Sequence, residues 1–344
     1  MSEQTRPGET RFQAGIVVDT HIHTVDYLPA LALSTFRWFI RRTVPPLFFL
    51  DQLAAAGVDV VITNAVGDRA VTAWWARRPW RAVQEQLRRI RADAESAHGV
   101  VATSAAEARQ AFETGRVAVV LGLEGGDCIG MHLSRLDDLY QQGVRMMVPV
   151  HLRNNYIGTT CLPWQSYVGL PHIPLLRRRE GLTKFGCAAI DRMNALGMLI
   201  DVSHSDTATL HDIAKRTRHP IVASHAGARS IEDFARYLDD DEIHTVAGTG
   251  GLIGLWPYRY GGHGPVDFDA LMRHAMHVAD LVGAAHLCVG TDFNGVPGMM
   301  TGMRREQDVR LIAEHLRSSG FGQGEVEGIM GGNFMRVFQQ VAAS

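Results

Sequence analysis

Residues 17–24 read VVDTHIHT, an apolar run that closes on two histidines one residue apart. On an extended strand, residues i and i+2 point the same way, so His21 and His23 share a direction and can hold one divalent cation between them. The competing explanation is a hydrogen-bonded pair at the polar end of a buried strand. Residues of similar chemistry close other apolar runs: Glu124 in VLGLEGG, His151 in MMVPVH, His204 in LIDVSH, His225 in IVASH and Asp292 in VGTDF. Each is of a type that ligates metal or moves a proton. An unpaired carboxylate such as Glu124 is costly after an apolar strand unless a cation or an arginine compensates it. Any one of these residues has an ordinary structural explanation. Their coincidence at the same end of successive strands points instead to a metal site and metal-assisted hydrolysis.

Eight short apolar or β-branched runs must position these side chains: 15–23, 58–66, 116–126, 143–151, 198–204, 220–225, 250–256 and 286–293. Helical stretches or long loops separate them. In GLTKFGCAAIDRMNALG (181–197), Leu182, Phe185, Ala189, Met193 and Leu196 form one apolar face at helical spacing, and Gly197 stops the helix. DTATLHDIAKRT (206–217) opens on an acidic capping residue, and VDFDALMRHAMHVADLVG (266–283) has helical period and ends on Gly283. Strand and helix in alternation imply parallel strands buried on both faces. Eight of them predict an α/β fold of one closed (β/α)8 TIM-type barrel, its active site at the C-terminal ends of the strands. We expect a tail over 1–14 and one barrel domain with C-terminal helices over 15–344, since no Pro, Gly or Ser-rich linker and no repeat divides the chain. The insert 152–180 is long for a connection and is a candidate roof over the site.

Composition narrows the function. The net charge is −2, with 34 Lys and Arg against 36 Asp and Glu and no one-sided basic stretch, so nucleic acid is not an expected partner. Cys128, Cys161, Cys187 and Cys288 are widely separated, lack a CxxC pattern, and read as reduced and mostly packed. Residues 1–14 hold no apolar run of leader length, and the greasy stretch 28–50 is broken by Arg37, Arg41, Arg42 and prolines. A cytoplasmic protein without a membrane anchor is the expectation. The remaining histidines, including His98, His211, His274, His277 and His315, are expected on solvated surface, and the AWWARRPW stretch (73–80) as a packed helix with arginines over the rings.

The ordered motifs DTHIH, LEGG, VHLRNN, GLTKFG, MLIDVSHSD, ASHAGAR, FARYL, GTDFNG and GGNFMRVF resemble the membrane (renal) dipeptidase family of zinc peptidases, over about residues 17–340. The resemblance implies a barrel hydrolase with two zinc ions that cleaves dipeptides, including those with a C-terminal D-residue, and it carries a homodimer as a further expectation. It places His21 and His23 on the first zinc, Glu124 between the two, and His204 and His225 on the second. Asp292 falls beside the metals, the bridging water and the substrate amino group. His151 corresponds to the histidine that binds the substrate carbonyl and its oxyanion, and Arg236 to the arginine that holds the substrate carboxylate. The chemistry agrees: two cations sharing a water lower its pKa from about 16 toward neutrality, an oxyanion donor contributes about 3 kcal/mol, and the arginine fork suits a carboxylate. One departure is HxH where the family usually has HxD, which makes the centre about one unit more positive. The apolar loop after the first strand is a candidate substrate pocket. DFNG in place of an expected DFDG removes a nearby acid. Two alternatives are therefore a related metal-dependent amidohydrolase acting on another amide, lactam or ester, and a non-catalytic barrel that only binds.

Overall fold

Every one of the eight apolar runs contains a strand. A computed structural model describes residues 15–24, 50–69, 79–167, 180–303 and 308–342. The tail 1–14, the apolar loop after the first strand, most of the tryptophan-rich stretch 73–80 and part of the insert 152–180 lie outside the described residues. The strands are β1 (Val18–Ile22), β2 (Val60–Val66), β3 (Val100–Val101), β4 (Ala118–Glu124), β5 (Val144–Val148), β6 (Leu199–Ile200), β7 (Val222–Ala226), β8 (Leu252–Leu255) and β9 (Leu287–Val289). β3 has no counterpart among the eight runs. Two half-buried valines pair only with the first two residues of β4, too short a stretch to carry a period.

All pairings between these strands are parallel. One sheet runs β1-β2-β4-β5-β6 with β3 beside β4, and a second runs β7-β8-β9. Their edges meet through single parallel bridges, Asp201 with Val222 and Ile22 with Phe293. Main-chain bonds reinforce both junctions: Val202 N donates to Val222 O at 2.7 Å, and Asp292 N donates to His21 O at 2.8 Å.

Burial on both strand faces explains why the runs are apolar throughout rather than alternating. Val60, Ile62, Ala118 and Val120 face one cluster, shared with Phe334 and Phe338 of the helix Asn333–Ala342. Their neighbours Val61, Ala65, Val119, Leu121 and Leu123 face the other, shared with the surrounding helices. The helices begin and end where the sequence marks them. Thr183 caps Lys184–Leu196 and Gly197 ends it with φ 70°, Asp206 caps Thr207–Arg216, and Asp267 caps Phe268–Val282. One expectation is corrected: His274 is not on the surface but buried in the last of these helices, where its Nδ1 accepts from Ala228 N at 3.0 Å. The apolar face at 268–282 is broad enough to enclose it.

Candidate metal centre

The polar ring lies where the strands end. Glu124 is the last residue of β4, His21 and His225 lie within β1 and β7, and His23, His151, His204 and Asp292 follow β1, β5, β6 and β9 by one to four residues. All seven are buried. Glu124 is their centre. Its Oε1 lies 3.3 Å from His21 Nε2, 3.2 Å from His204 Nε2 and 3.8 Å from His225 Nε2. Its Oε2 lies 3.3 Å from His23 Nε2 and 3.5 Å from His151 Nε2. Asp292 Oδ1 stands 3.9 Å from His21 Nε2 and 3.6 Å from His23 Nε2. Among the described residues, three sets of potential ligand atoms gather within 4.8 Å: His21, Glu124 and His225; His21, His23 and Asp292; and Glu124, His151 and His204.

The donor atoms suit divalent cations. His204 Nε2 and His225 Nε2 face each other at 3.1 Å beside a carboxylate oxygen. His21 Nε2 is buried without a hydrogen bond. Buried polar atoms normally find partners, and a cation among these lone pairs would satisfy them. The far sides of the rings are tied down: His23 Nδ1 meets Asn64 O at 3.0 Å, while His225 Nδ1 and His21 Nδ1 meet Ser224 Oγ at 2.9 and 3.1 Å. Such outer hydrogen bonds orient ligand imidazoles.

Electrostatics follows from burial and crowding. Burial opposes charge on Glu124, yet the imidazoles around it, His151 and His21 foremost, hold its carboxyl well below the usual range. Burial is the strongest single influence on His21 and acts downward, but Glu124, Asp201 and Asp292 together outweigh it and lift the imidazole to about 10. The negative potential that favours a proton there also favours a metal ion, and the two compete for one lone pair. Burial, with Arg236 and neighbouring imidazoles, keeps His204 and His225 well below the ordinary histidine value. Burial likewise lowers His151. Asp292 is pushed up to about 7, first by burial, with the Glu124 charge adding to it. Two of these residues hold an uncommon backbone: φ is 78° at His204 and 57° at Asp292, the left-handed region where side chains are rare outside turns and functional sites.

Arg236 lies in the segment after β7 and is 2 % exposed. It borders, with His204, Cys161 and Arg229, a cavity of about 160 Å³. Its guanidinium carbon sits 4.9 Å above the Trp256 ring, whose edge meets the His225 ring at 5.2 Å between centres. The Trp256 indole thus touches both the arginine and His225. The structure gathers His21, His23, Glu124, His151, His204, His225 and Asp292, and places Arg236 on a cavity shared with His204. Sequence reasoning missed the supports: Asn64, Asp68, Asp201, Ser224 and Trp256. Asp68 Oδ2 stands 3.6 Å from His151 Nδ1. A signal existed for three of them, because Asn64, Asp201 and Ser224 interrupt runs that are otherwise apolar and doubly buried.

Fold and site together define an α/β metallohydrolase-type scaffold: parallel strands with a buried carboxylate ringed by imidazoles at their C-terminal ends. Residues 49–344 match the membrane dipeptidase family (peptidase family M19). The chain belongs to that family. It is 29 % identical over 234 residues to an uncharacterized dipeptidase of Schizosaccharomyces pombe; the match covers 66 % of this chain but only 53 % of the relative, about half its length. Among solved structures it is similar to an amidohydrolase from Pseudomonas aeruginosa, with TM-score 0.76 and 20 % identity over 99 % of this chain and 100 % of that one. It is also similar to a metallopeptidase from Rhodobacter sphaeroides bound to a phosphinate mimic of the dipeptide L-Ala-D-Ala, with TM-score 0.79 and 20 % identity over 95 % of this chain and 99 % of that one. Among the described residues no helix is long and apolar enough to cross a membrane.

Proposed function

We propose that the protein is a dinuclear zinc dipeptidase whose eight strands other than β3 close into a (β/α)8 barrel. The two parallel bridges between the sheets support the closure. The observation that carries the chemistry is the central place of Glu124: its carboxylate lies 3.3 Å from the Nε2 of both His21 and His23 and 3.2 Å from that of His204, with His225 Nε2 at 3.8 Å, so it reaches both proposed ligand pairs. A carboxylate so placed suits two cations at once. His21 and His23 would hold the first and His204 and His225 the second, with Glu124 shared and Asp292 alongside. Imidazole and carboxylate donors favour zinc. When bound, the ions supply an acidified water and an electrophilic hold on the substrate carbonyl.

The chain supplies the rest. Asp292, buried and raised to about 7, is suited to take a proton from the attacking water and return it to the departing nitrogen. An amine leaves poorly without that proton. His151 would donate an N–H to the oxygen of the tetrahedral intermediate. Arg236, stiffened against Trp256, offers a bidentate fork to a free carboxylate and so selects short substrates. A second reading, a relative acting on another amide, lactam or ester, is favoured by one observation: His23 stands where the family usually has aspartate. Arg236→Ala separates the two. The dipeptidase reading predicts a rise in KM of about 10²-fold for L-Xaa-D-Xaa and L-Xaa-L-Xaa dipeptides, with neutral esters little affected. Equal KM for dipeptides in both proteins contradicts it.

A further inference from the structure

Ser224 and Asp201 belong neither to the expected ligands nor to the expected substrate contacts, yet they stand directly behind two of the histidines. Both are fully buried. Ser224 Oγ donates to Asp201 Oδ2, and it lies 3.1 Å from His21 Nδ1 and 2.9 Å from His225 Nδ1. The other oxygen of Asp201 accepts from Ser203 N at 2.9 Å, Ser203 Oγ at 2.7 Å and Ser224 N at 3.1 Å, so the carboxylate is fixed in place. The main chain of Ser224 is also held, its carbonyl accepting from Thr20 Oγ1 at 3.0 Å.

A hydroxyl has one proton and two lone pairs. A carboxylate is a stronger acceptor than a neutral imidazole, so the Ser224 proton goes to Asp201 and both lone pairs are left for the rings. Where a cation takes the place of a proton at Nε2, each ring then keeps its own proton on Nδ1 and turns an Nε2 lone pair toward Glu124. We propose that Ser224, held as a pure acceptor by Asp201, is a single positioning residue shared by two ion sites, fixing His21 and His225 in the metal-ready tautomer together. The inference rests on the two-ion reading. An ordinary outer partner orients one ligand; a shared hydroxyl makes both sites depend on one side chain. The Asn64 amide, 3.2 Å from His21 Nδ1, competes for that nitrogen. If Asn64 donated there, His21 would carry its proton on Nε2 and face Glu124 with no lone pair.

The test titrates Zn²⁺ alone into the metal-free full-length chain against a chromophoric chelator, for the wild type, Ser224→Ala and Asp201→Asn. Two ions are expected in the wild type. In Ser224→Ala both binding constants should weaken by about 10–100-fold. Asp201→Asn should do the same, because an amide at 201 can donate to Ser224 and redirect the hydroxyl proton toward an imidazole. Nitrogen-15 NMR of the zinc-loaded wild type should show Nδ1–H on both His21 and His225, a readout independent of how the variants fold. Fewer than two ions in the wild type overturns the two-ion reading and this inference with it. With two ions bound, the inference alone is overturned if either variant keeps wild-type affinity, if only one site weakens, or if either ring carries Nε2–H.

Discussion

A Cβ placed on Gly295 would lie 2.0 Å from Asp292 Oδ1 and 3.0 Å from His23 Nε2. The glycine is therefore the surface against which the proposed proton carrier and a first-site ligand are set. Gly295→Ala should lower kcat by about 10²-fold, the scale expected from displacing reacting groups by an ångström, while the thermal midpoint moves little. Unchanged kcat in steady-state dipeptide assays would show that Asp292 need not hold this position. At this scale the sequence revealed the residues with distinctive chemistry: His21, His23, Glu124, His151, His204, His225 and Asp292 converge, and Arg236 shares a cavity with His204. It did not reveal their orientation. Which ring nitrogen faces inward depends on Asn64 O and Ser224 Oγ, and those partners lie on other strands, 41 and 203 residues away in the chain.

The strands other than β3 were legible because burial on both faces makes each read as a mostly apolar run, whereas the two half-buried valines of β3 leave no such run. The junction between the two sheets was not, since single bridges such as Asp201 with Val222 leave no pattern in composition. Helix ends were legible where a cap residue announced them, as at Thr183, Asp206 and Gly197. His274 misled because a histidine inside a helical pattern reads as surface, whereas the enclosing face covers it. Close strand packing carries its own prediction. A Cβ on Gly254 in β8 would meet the Ser224 carbonyl oxygen at 1.7 Å, a main-chain atom that cannot swing aside. Gly254→Ala should destabilise the fold by about 1–3 kcal/mol through overpacking and disturb zinc binding through Ser224. Urea unfolding that matches the wild type would contradict this close contact.

Across the whole molecule, stability and metal binding should both weaken in acid, for separable reasons. Burial depresses His274 from 6.5 to about 4. Its folded form is thus neutral over a range where the unfolded chain takes up a proton. The stability it contributes is intact above about 6.5 and is lost progressively as pH falls through about 4, amounting to about 3 kcal/mol. Urea unfolding of the metal-free protein at pH 7 and pH 4 should show this loss, and His274→Asn should flatten it; parallel pH profiles for the two proteins would exclude His274 as the cause. Acid should also release metal, because a proton and a cation compete for His21. The most direct measurement is of the centre itself: zinc is titrated into chelator-treated protein while hydrolysis of L-Xaa-D-Xaa and L-Xaa-L-Xaa dipeptides is followed. Two ions per chain, with dipeptide hydrolysis rising as they bind, is the predicted result. Protein that takes up no zinc, or that binds two ions and cleaves no dipeptide, contradicts it.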